Sequence, residues 1–188
     1  PEGNKYPSIT TVLSWFSAQS IMEWRKKVGA EVANKITTQA SRSGTSVHQM
    51  AEDHLNNLEW KTKKTMPFDI ETFLKRKPVL DQRVDNVYVQ EHPMYSDHLG
   101  LAGTVDCICE FDGKLSIVDF KTSRQSMIGD KYGKLEKYFR QAAGYAVMFE
   151  ERYKIAINSL VIIAAISDKS RPEVFTSKRD NHISELID

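Results

Sequence analysis

Cysteine is nearly absent from this sequence: Cys107 and Cys109 are the two in 188 residues. There is no C-x-x-C pair, so neither a zinc ribbon nor an iron–sulfur cluster is expected. Two cysteines on one regular strand cannot bond to each other. They read as small core residues in a reducing compartment. Long apolar runs are missing as well, and nothing approaches the roughly 18 residues of a membrane-spanning helix. No secretory signal is visible. The expectation is an intracellular protein with no membrane partner. Neither charge sign dominates: 26 Lys and Arg against 25 Asp and Glu leave a net charge of +1, so any attraction to a polyanion must come from local patches. Repeats and low-complexity blocks are also lacking. What remains is ordinary globular composition, 40% hydrophobic and 27% charged, in a chain long enough for one domain with a real core, residues 1–188.

The most informative segment has a tight turn at its centre. Residues 101–111 and 115–122 are rich in Val, Ile, Phe and Thr, as strands are. Asp112-Gly113 between them suits a type I′ hairpin turn, which needs positive φ at both centres. With Phe111 opposite Lys114, Ile108 faces Ile117 and Asp106 faces Asp119. Alternation then puts Asp106, Asp119 and Lys121 on one face. Facing carboxylates repel and weaken a sheet, so their retention points to a cation between them, and a hard divalent ion with oxygen ligands fits best. The alternative is an exposed face carrying ordinary charges. The apolar run 115–120 counts against it, because Asp119 sits where a buried strand would take Val or Ile.

Around this hairpin the periodicities predict helices over 8–16 and 18–28, with Trp15, Phe16, Ile21, Met22 and Trp24 as core residues, and another over 31–40. Ser43-Gly44-Thr45 reads as a break. Ser46 and Gln49 then resemble a capping box that opens a helix to about Asn57, with His48, Ala51, Glu52 and Leu55 on one side. Residues 59–81 read as polar and basic, with one short helix near 68–75. A strand over 84–92 is expected to stop at Pro93. After the hairpin come a loop (123–134), a helix (135–153) striped by Leu135, Phe139, Ala142, Ala146 and Phe149, a buried strand (159–166), and a polar tail that closes with a short strand. The fold class is α/β, a mixed sheet flanked by helices. It divides into N-terminal helices (1–42), a core (43–166) and a C-terminal tail (167–188).

Four short patterns occur in order: Gly44-x-x-x-His48, Gly103-x-x-Asp106, Asp119-x-Lys121 and Gln141-x-x-x-Tyr145. Each is weak alone, but the ordered set over roughly residues 8–166 resembles the PD-(D/E)XK nuclease superfamily. Within it, the set is similar to the RecB-like exonuclease branch, with its phage-encoded and mitochondrial members. The resemblance implies a restriction-endonuclease-like αβββαβ core and a metal-dependent DNA exonuclease using one or two Mg²⁺ or Mn²⁺ ions. It implies that His48, Asp106, Asp119 and the backbone carbonyl of Phe120 are metal ligands, that Lys121 is the catalytic lysine, and that Gln141 and Tyr145 line the site. Glu91 falls where related nucleases often carry an acidic residue, suited to a second metal or to orienting water; an ordinary strand-end carboxylate is the alternative. Glu52, one turn beyond His48, suits a supporting role or a plain surface one. Val105 stands where the superfamily name has Pro, and no helicase portion accompanies the motifs, which implies a stand-alone nuclease module.

The chemistry asks for such residues. A divalent ion on Asp106 and Asp119 would lower the pKa of a bound water and polarise a phosphoryl oxygen. Imidazole from His48 suits Mn²⁺ better than Mg²⁺. Lys121 would offset charge that builds in the transition state. Arg124, Lys131, Lys134, Lys137 and Arg140 are candidate phosphate contacts, and Lys61, Lys63, Lys64, Lys75, Arg76 and Lys77 form a second basic run that reads equally as a solvated face. Trp60, Tyr132 and Tyr138 are candidate stacking groups for a single strand. The expected partner is DNA, single-stranded by preference, in a bacterial or phage-infected cytoplasm, with the mitochondrion left open. A structure-specific endonuclease on the same fold and a non-catalytic nucleic-acid-binding module are the rival readings.

Overall fold

Ser159–Ile166 (β4) explains much of the architecture, because every residue after Ser159 is buried. A strand that is apolar on both faces needs layers above and below it. The computed structural model describes residues 5–62, 64–130 and 133–187. It contains α1 (Ile9–Trp15), α2 (Ala18–Val28), α3 (Ala30–Leu55), α4 (Pro67–Arg83), β1 (Val84–Ser96), β2 (Leu101–Phe111), β3 (Lys114–Ser123), α5 (Lys134–Tyr153), β4, β5 (Glu173–Lys178), a 3-10 turn at Arg179–Asn181 and α6 (Ser184–Ile187). The sheet order is β1-β2-β3-β4-β5. β3 and β4 are parallel and the other pairs antiparallel. The parallel pair requires a crossover, which α5 supplies. One face of the sheet carries α1 and α5, through Ile9, Leu13, Phe139, Ala142 and Ala146 on Val105, Ile108, Ile117, Leu160 and Ile162. The other carries α3 and α4, through Val47, Met50, Phe73 and Leu80 on Cys107, Cys109, Val118, Phe120 and Ile163. The expected α/β class and the αβββαβ order of the core are both present. No helix among the described residues is long and apolar enough to cross a membrane.

Five expectations are corrected. The break at Ser43-Gly44-Thr45, and the division of the chain at residue 42, fall inside one continuous 26-residue helix, α3. Burial of Ala33 at one end and of Val47, Met50 and Ala51 at the other spans the weak stretch, at a cost of about 1 kcal/mol for Gly44 relative to Ala. Gln49 forms no capping box and bonds Glu52 and Asp53 instead. The short helix at 68–75 is α4, extended to 17 residues with Pro78 inside it; buried Phe73 and Leu80 hold it across a proline that normally breaks a helix. β1 runs through Pro93 to Ser96, which an edge strand tolerates. Finally, the residues expected as core on the first two helices are not core: Trp15 is 67% and Phe16 75% exposed, Ile21 and Met22 are exposed too, Trp24 is half-buried, and α2 buries no residue at all; α1 reaches the core through Ile9 and Leu13 instead.

Candidate functional site

The site lies where β2 and β3 part. Their ladder runs from Phe111↔Lys114 through Ile108↔Ile117 to Cys107↔Val118 and ends there. The turn is as expected, with φ of 49° at Asp112 and 71° at Gly113. One pair further on, where Asp106 was expected to face Asp119 directly, the alternation of β2 slips. Val105 packs with the α5 cluster, whereas Cys107 and Cys109 pack with the α3–α4 cluster. A side chain replaces the lost backbone pairing: Asp106 Oδ2 accepts a 2.7 Å hydrogen bond from the Phe120 amide.

β1 is distorted beside the same point. Glu91 lies between the pairs Gln90↔Cys107 and His92↔Val105, abreast of Asp106, with φ of +43°. A non-glycine residue in that region costs on the order of 1–3 kcal/mol, and such outliers gather at functional sites. On α3, His48 Nε2 lies 2.7 Å from the Phe120 carbonyl. A carbonyl only accepts, so Nε2 carries the proton. His48 Nδ1 faces Asp106 Oδ2 at 3.7 Å and Glu91 Oε1 at 3.8 Å. Ligand atoms of His48, Glu91 and Asp106 lie within 4.8 Å of one another, a grouping that could hold a metal ion.

Asp119 is placed differently. It is 1% exposed and pairs with Lys121, whose Nζ lies 2.7 Å from its Oδ2. Gln141 from α5 reaches both, at 3.4 Å from Lys121 Nζ and 3.5 Å from Asp119 Oδ1, and donates to Tyr145 Oη at 2.9 Å. Tyr145 in turn packs over Gly103: a Cβ there would come within 2.7 Å of Tyr145 Cε1. The close approach accounts for glycine at the start of the Gly103-x-x-Asp106 pattern. Lys121 is covered by Tyr138, 4.8 Å from Nζ to the ring centre.

Of the five expected metal ligands, His48, Glu91 and Asp106 therefore meet in one cluster. Asp119 adjoins it through the lysine pair, and the Phe120 carbonyl gives one lone pair to His48. Glu52 lines the cleft beside them, with Gly44, Thr45 and Gln49.

Charges in this cluster perturb one another. Burial and the nearby Asp119 carboxylate push Asp106 up to about 6, against the pull of His48 and Lys121. Burial pulls His48 down, but the Glu91 and Asp106 carboxylates and the Phe120 carbonyl outweigh it and hold the imidazole above its usual value. Burial also opposes the Lys121 ammonium, yet Asp119 and Asp106 hold it well above the ordinary lysine range. Lys121 is therefore a cation at neutral pH and unsuited to act as a base.

Sequence reasoning missed one member. Arg76, read as part of a basic run of either phosphate contacts or a solvated face, is fully buried. Its Nη2 donates to the Lys121 carbonyl at 2.8 Å and its guanidinium lies 5.0 Å from the centre of the Phe120 ring. Burial lowers its pKa to about 10 against the opposing pull of Asp106 and Asp119. The signal was a stripe on α4: Asp69, Thr72, Phe73, Arg76 and Leu80 are all buried, at helical spacing.

The candidate DNA contacts are spread out. Lys134, Lys137 and Arg140 line a groove between α5 and the α1–α2 corner. Arg124 is exposed after β3 and lies outside that lining, and Lys131 and Tyr132 fall outside the described residues. Trp60 is half-buried, and its ring packs at 4.6 Å on Phe73.

No family model matches the chain, and no curated protein does. Among solved structures, the crystal structure of SSO0001 is similar over 100% of this chain and 77% of its own, with 13% identity and a TM-score of 0.44. So distant a likeness leaves the reading of the site to its own geometry.

Proposed function

We propose that this chain is a metal-dependent deoxyribonuclease of the PD-(D/E)XK class, an intracellular exonuclease that hydrolyses phosphodiester bonds of single-stranded DNA or free DNA ends with Mg²⁺ or Mn²⁺. The carrying observation is the convergence of His48, Glu91 and Asp106 within 4.8 Å beside the Lys121–Asp119 pair. One imidazole nitrogen and two carboxylates fit a divalent ion, with Mn²⁺ better suited to the nitrogen. When bound, such an ion supplies Lewis-acid polarisation of a phosphoryl oxygen and a lowered pKa for a water.

The chain's own residues do the rest. Once the second proton that Glu91 and Asp106 favour is displaced by an ion, His48 keeps its other proton on Nε2 and offers Nδ1 toward them. Lys121 stays cationic and stands ready for the negative charge that builds on the phosphoryl oxygens. Gln141, fixed by Tyr145, holds Lys121 and Asp119 in register. Arg76 ties down the Lys121 carbonyl from behind.

The test incubates end-labelled linear single-stranded DNA and a closed single-stranded circle with EDTA, Mg²⁺ or Mn²⁺, with Lys121→Ala and Asp119→Ala as controls. Metal-dependent loss of the linear strand alone, abolished in both variants, is the expected result. A cut circle means an endonuclease. Cleavage in EDTA, or none with either metal, overturns the reading.

A further inference from the structure

The aromatics at the α1–α2 corner have no core to fill, and one of them forms a wall of a groove. Phe16, with Ser17 and Ser20, lines one side; Lys134, Lys137 and Tyr138 of α5 line the other, around a space of about 450 Å³. Lys137 Nζ bridges the two walls, 3.1 Å from Ser17 Oγ. The groove runs into the site, because Tyr138 is also the ring that covers Lys121 at 4.8 Å. Single exposed apolar residues are common on protein surfaces. Here Trp15, Phe16, Ile21 and Met22 are exposed together on two short consecutive helices, which calls for an occupant.

We infer that this groove binds single-stranded DNA next to the cleavage site, with an unpaired base stacked on Phe16 and the backbone phosphates on Lys134 and Lys137. The inference rests on the nuclease reading for its polarity toward Lys121, and it deepens that reading by naming the residues that would select an unpaired strand. The α5 wall carries Lys134, Lys137 and Arg140 against one carboxylate, Glu136, which Arg140 and His182 already engage, so charge complementarity selects a polyanion. The aromatic wall selects exposed base faces, which a duplex keeps stacked inside. An aromatic wall facing a basic wall therefore discriminates strands by pairing rather than by sequence.

The experiment is fluorescence anisotropy of the full chain in EDTA, with labelled oligo(dT) and with a blunt duplex. Wild type is compared with Phe16→Ser and with Ile155→Ser, which removes an exposed apolar residue beyond the far end of α5. Thermal melts check that the variants fold, and sedimentation reports association. Losing one stacked base weakens binding by roughly 5- to 100-fold. The expected result is a loss of that size for oligo(dT) in Phe16→Ser alone, with duplex affinity unchanged. Unchanged oligo(dT) affinity overturns the proposal. An equal loss on both DNAs overturns the discrimination. A wild-type dimer that Phe16→Ser dissociates, with strand affinity intact, assigns the face to a second copy of the chain instead. Because binding is read in EDTA, the groove can fail while metal-dependent cleavage stands, and the reverse.

Discussion

Lys121→Met removes the cation from a cluster that holds two carboxylates, and its consequence can be worked from distance and burial. Lys121 Nζ lies 2.7 Å from Asp119 Oδ2, and the carboxylate's side chain is 1% exposed. At an effective dielectric of about 20, unit charges at that separation attract by roughly 6 kcal/mol, and desolvation takes back part of it. Removing one partner of such a pair leaves a buried charge that water cannot reach, at a cost of about 3–5 kcal/mol. For a chain of this size that lowers the Tm by roughly 6–20 °C. The assay is thermal unfolding in EDTA and in Mn²⁺. In EDTA the variant melts lower by that amount. In Mn²⁺ it regains more than wild type does, because a divalent cation stabilises only the state that binds it and the variant has more uncompensated negative charge to offer. Asp119→Asn added to Lys121→Met restores most of the EDTA loss, since the orphaned charge is gone. A loss below about 1 kcal/mol in EDTA refutes the buried pair. Equal Mn²⁺ shifts in wild type and variant refute the coupling between this pair and the His48–Glu91–Asp106 cluster.

Metal affinity should depend on pH with a definite sign. Asp106, raised to about 6, must release its proton to bind an ion, so it contributes about tenfold per pH unit to the Mn²⁺ affinity measured by titration calorimetry below that point and nothing further above it; His48, held above its usual value, must also deprotonate and adds to the slope. A flat profile between pH 5 and about 6 contradicts the burial assigned to this carboxylate. Gly103→Ala drives a Cβ to within 2.7 Å of Tyr145 and should cost about 1–3 kcal/mol by overpacking, read as a lower denaturation midpoint; an unchanged midpoint removes the packing rationale for this glycine. Gly44→Ala meets no atom within 4 Å in mid-helix, so it should stabilise the chain by about 1 kcal/mol, while cleavage of DNA falls if a strand passes over the cleft that Gly44 shares with His48 and Glu91. A stabilised variant with full activity would show that nothing approaches there.

Legibility in the sequence followed the range of the interactions. The hairpin was readable because its turn is local chemistry, Asp112-Gly113 with both φ positive. Register then followed as far as Cys107↔Val118. The bounds of α2, β2 and β4 were readable because each is regular and ends at turn-forming residues. What failed depended on contacts between distant segments. Ser43-Gly44-Thr45 looks like a break because local propensity says so, and tertiary burial of both flanks of α3 overrides it. Pro78 shortened α4 for the same reason. Apolar side chains on α1 and α2 looked like core because a helical pattern records that a face is apolar, not what covers it. Glu91 was named from its position ahead of the hairpin, but its φ of +43° in β1 was out of reach, and so was the slip of alternation in β2 that takes Asp106 away from Asp119.

That slip also explains why fold and site cannot be separated here. Beyond Val118, β3 has lost β2 as a partner, and side chains take over its backbone groups. Asp106 accepts from the Phe120 amide, His48 donates to the Phe120 carbonyl, and buried Arg76 donates to the Lys121 carbonyl. Buried backbone groups must be paired, so these side chains are structural before any ion or DNA arrives. The same contacts fix their chemistry. His48 cannot offer Nε2 to a metal without abandoning the Phe120 carbonyl, and Nδ1, the atom it has left, faces Asp106 and Glu91. Asp106 uses one oxygen for both, since the Oδ2 that accepts the amide is also the atom that faces His48 Nδ1. The fork in the sheet thus sets which atoms of His48 and Asp106 face Glu91, and the motif spacing in the sequence is the trace of that fork: a glycine under Tyr145, an acid three residues later to stand in for a lost strand, and a lysine whose carbonyl is held from behind.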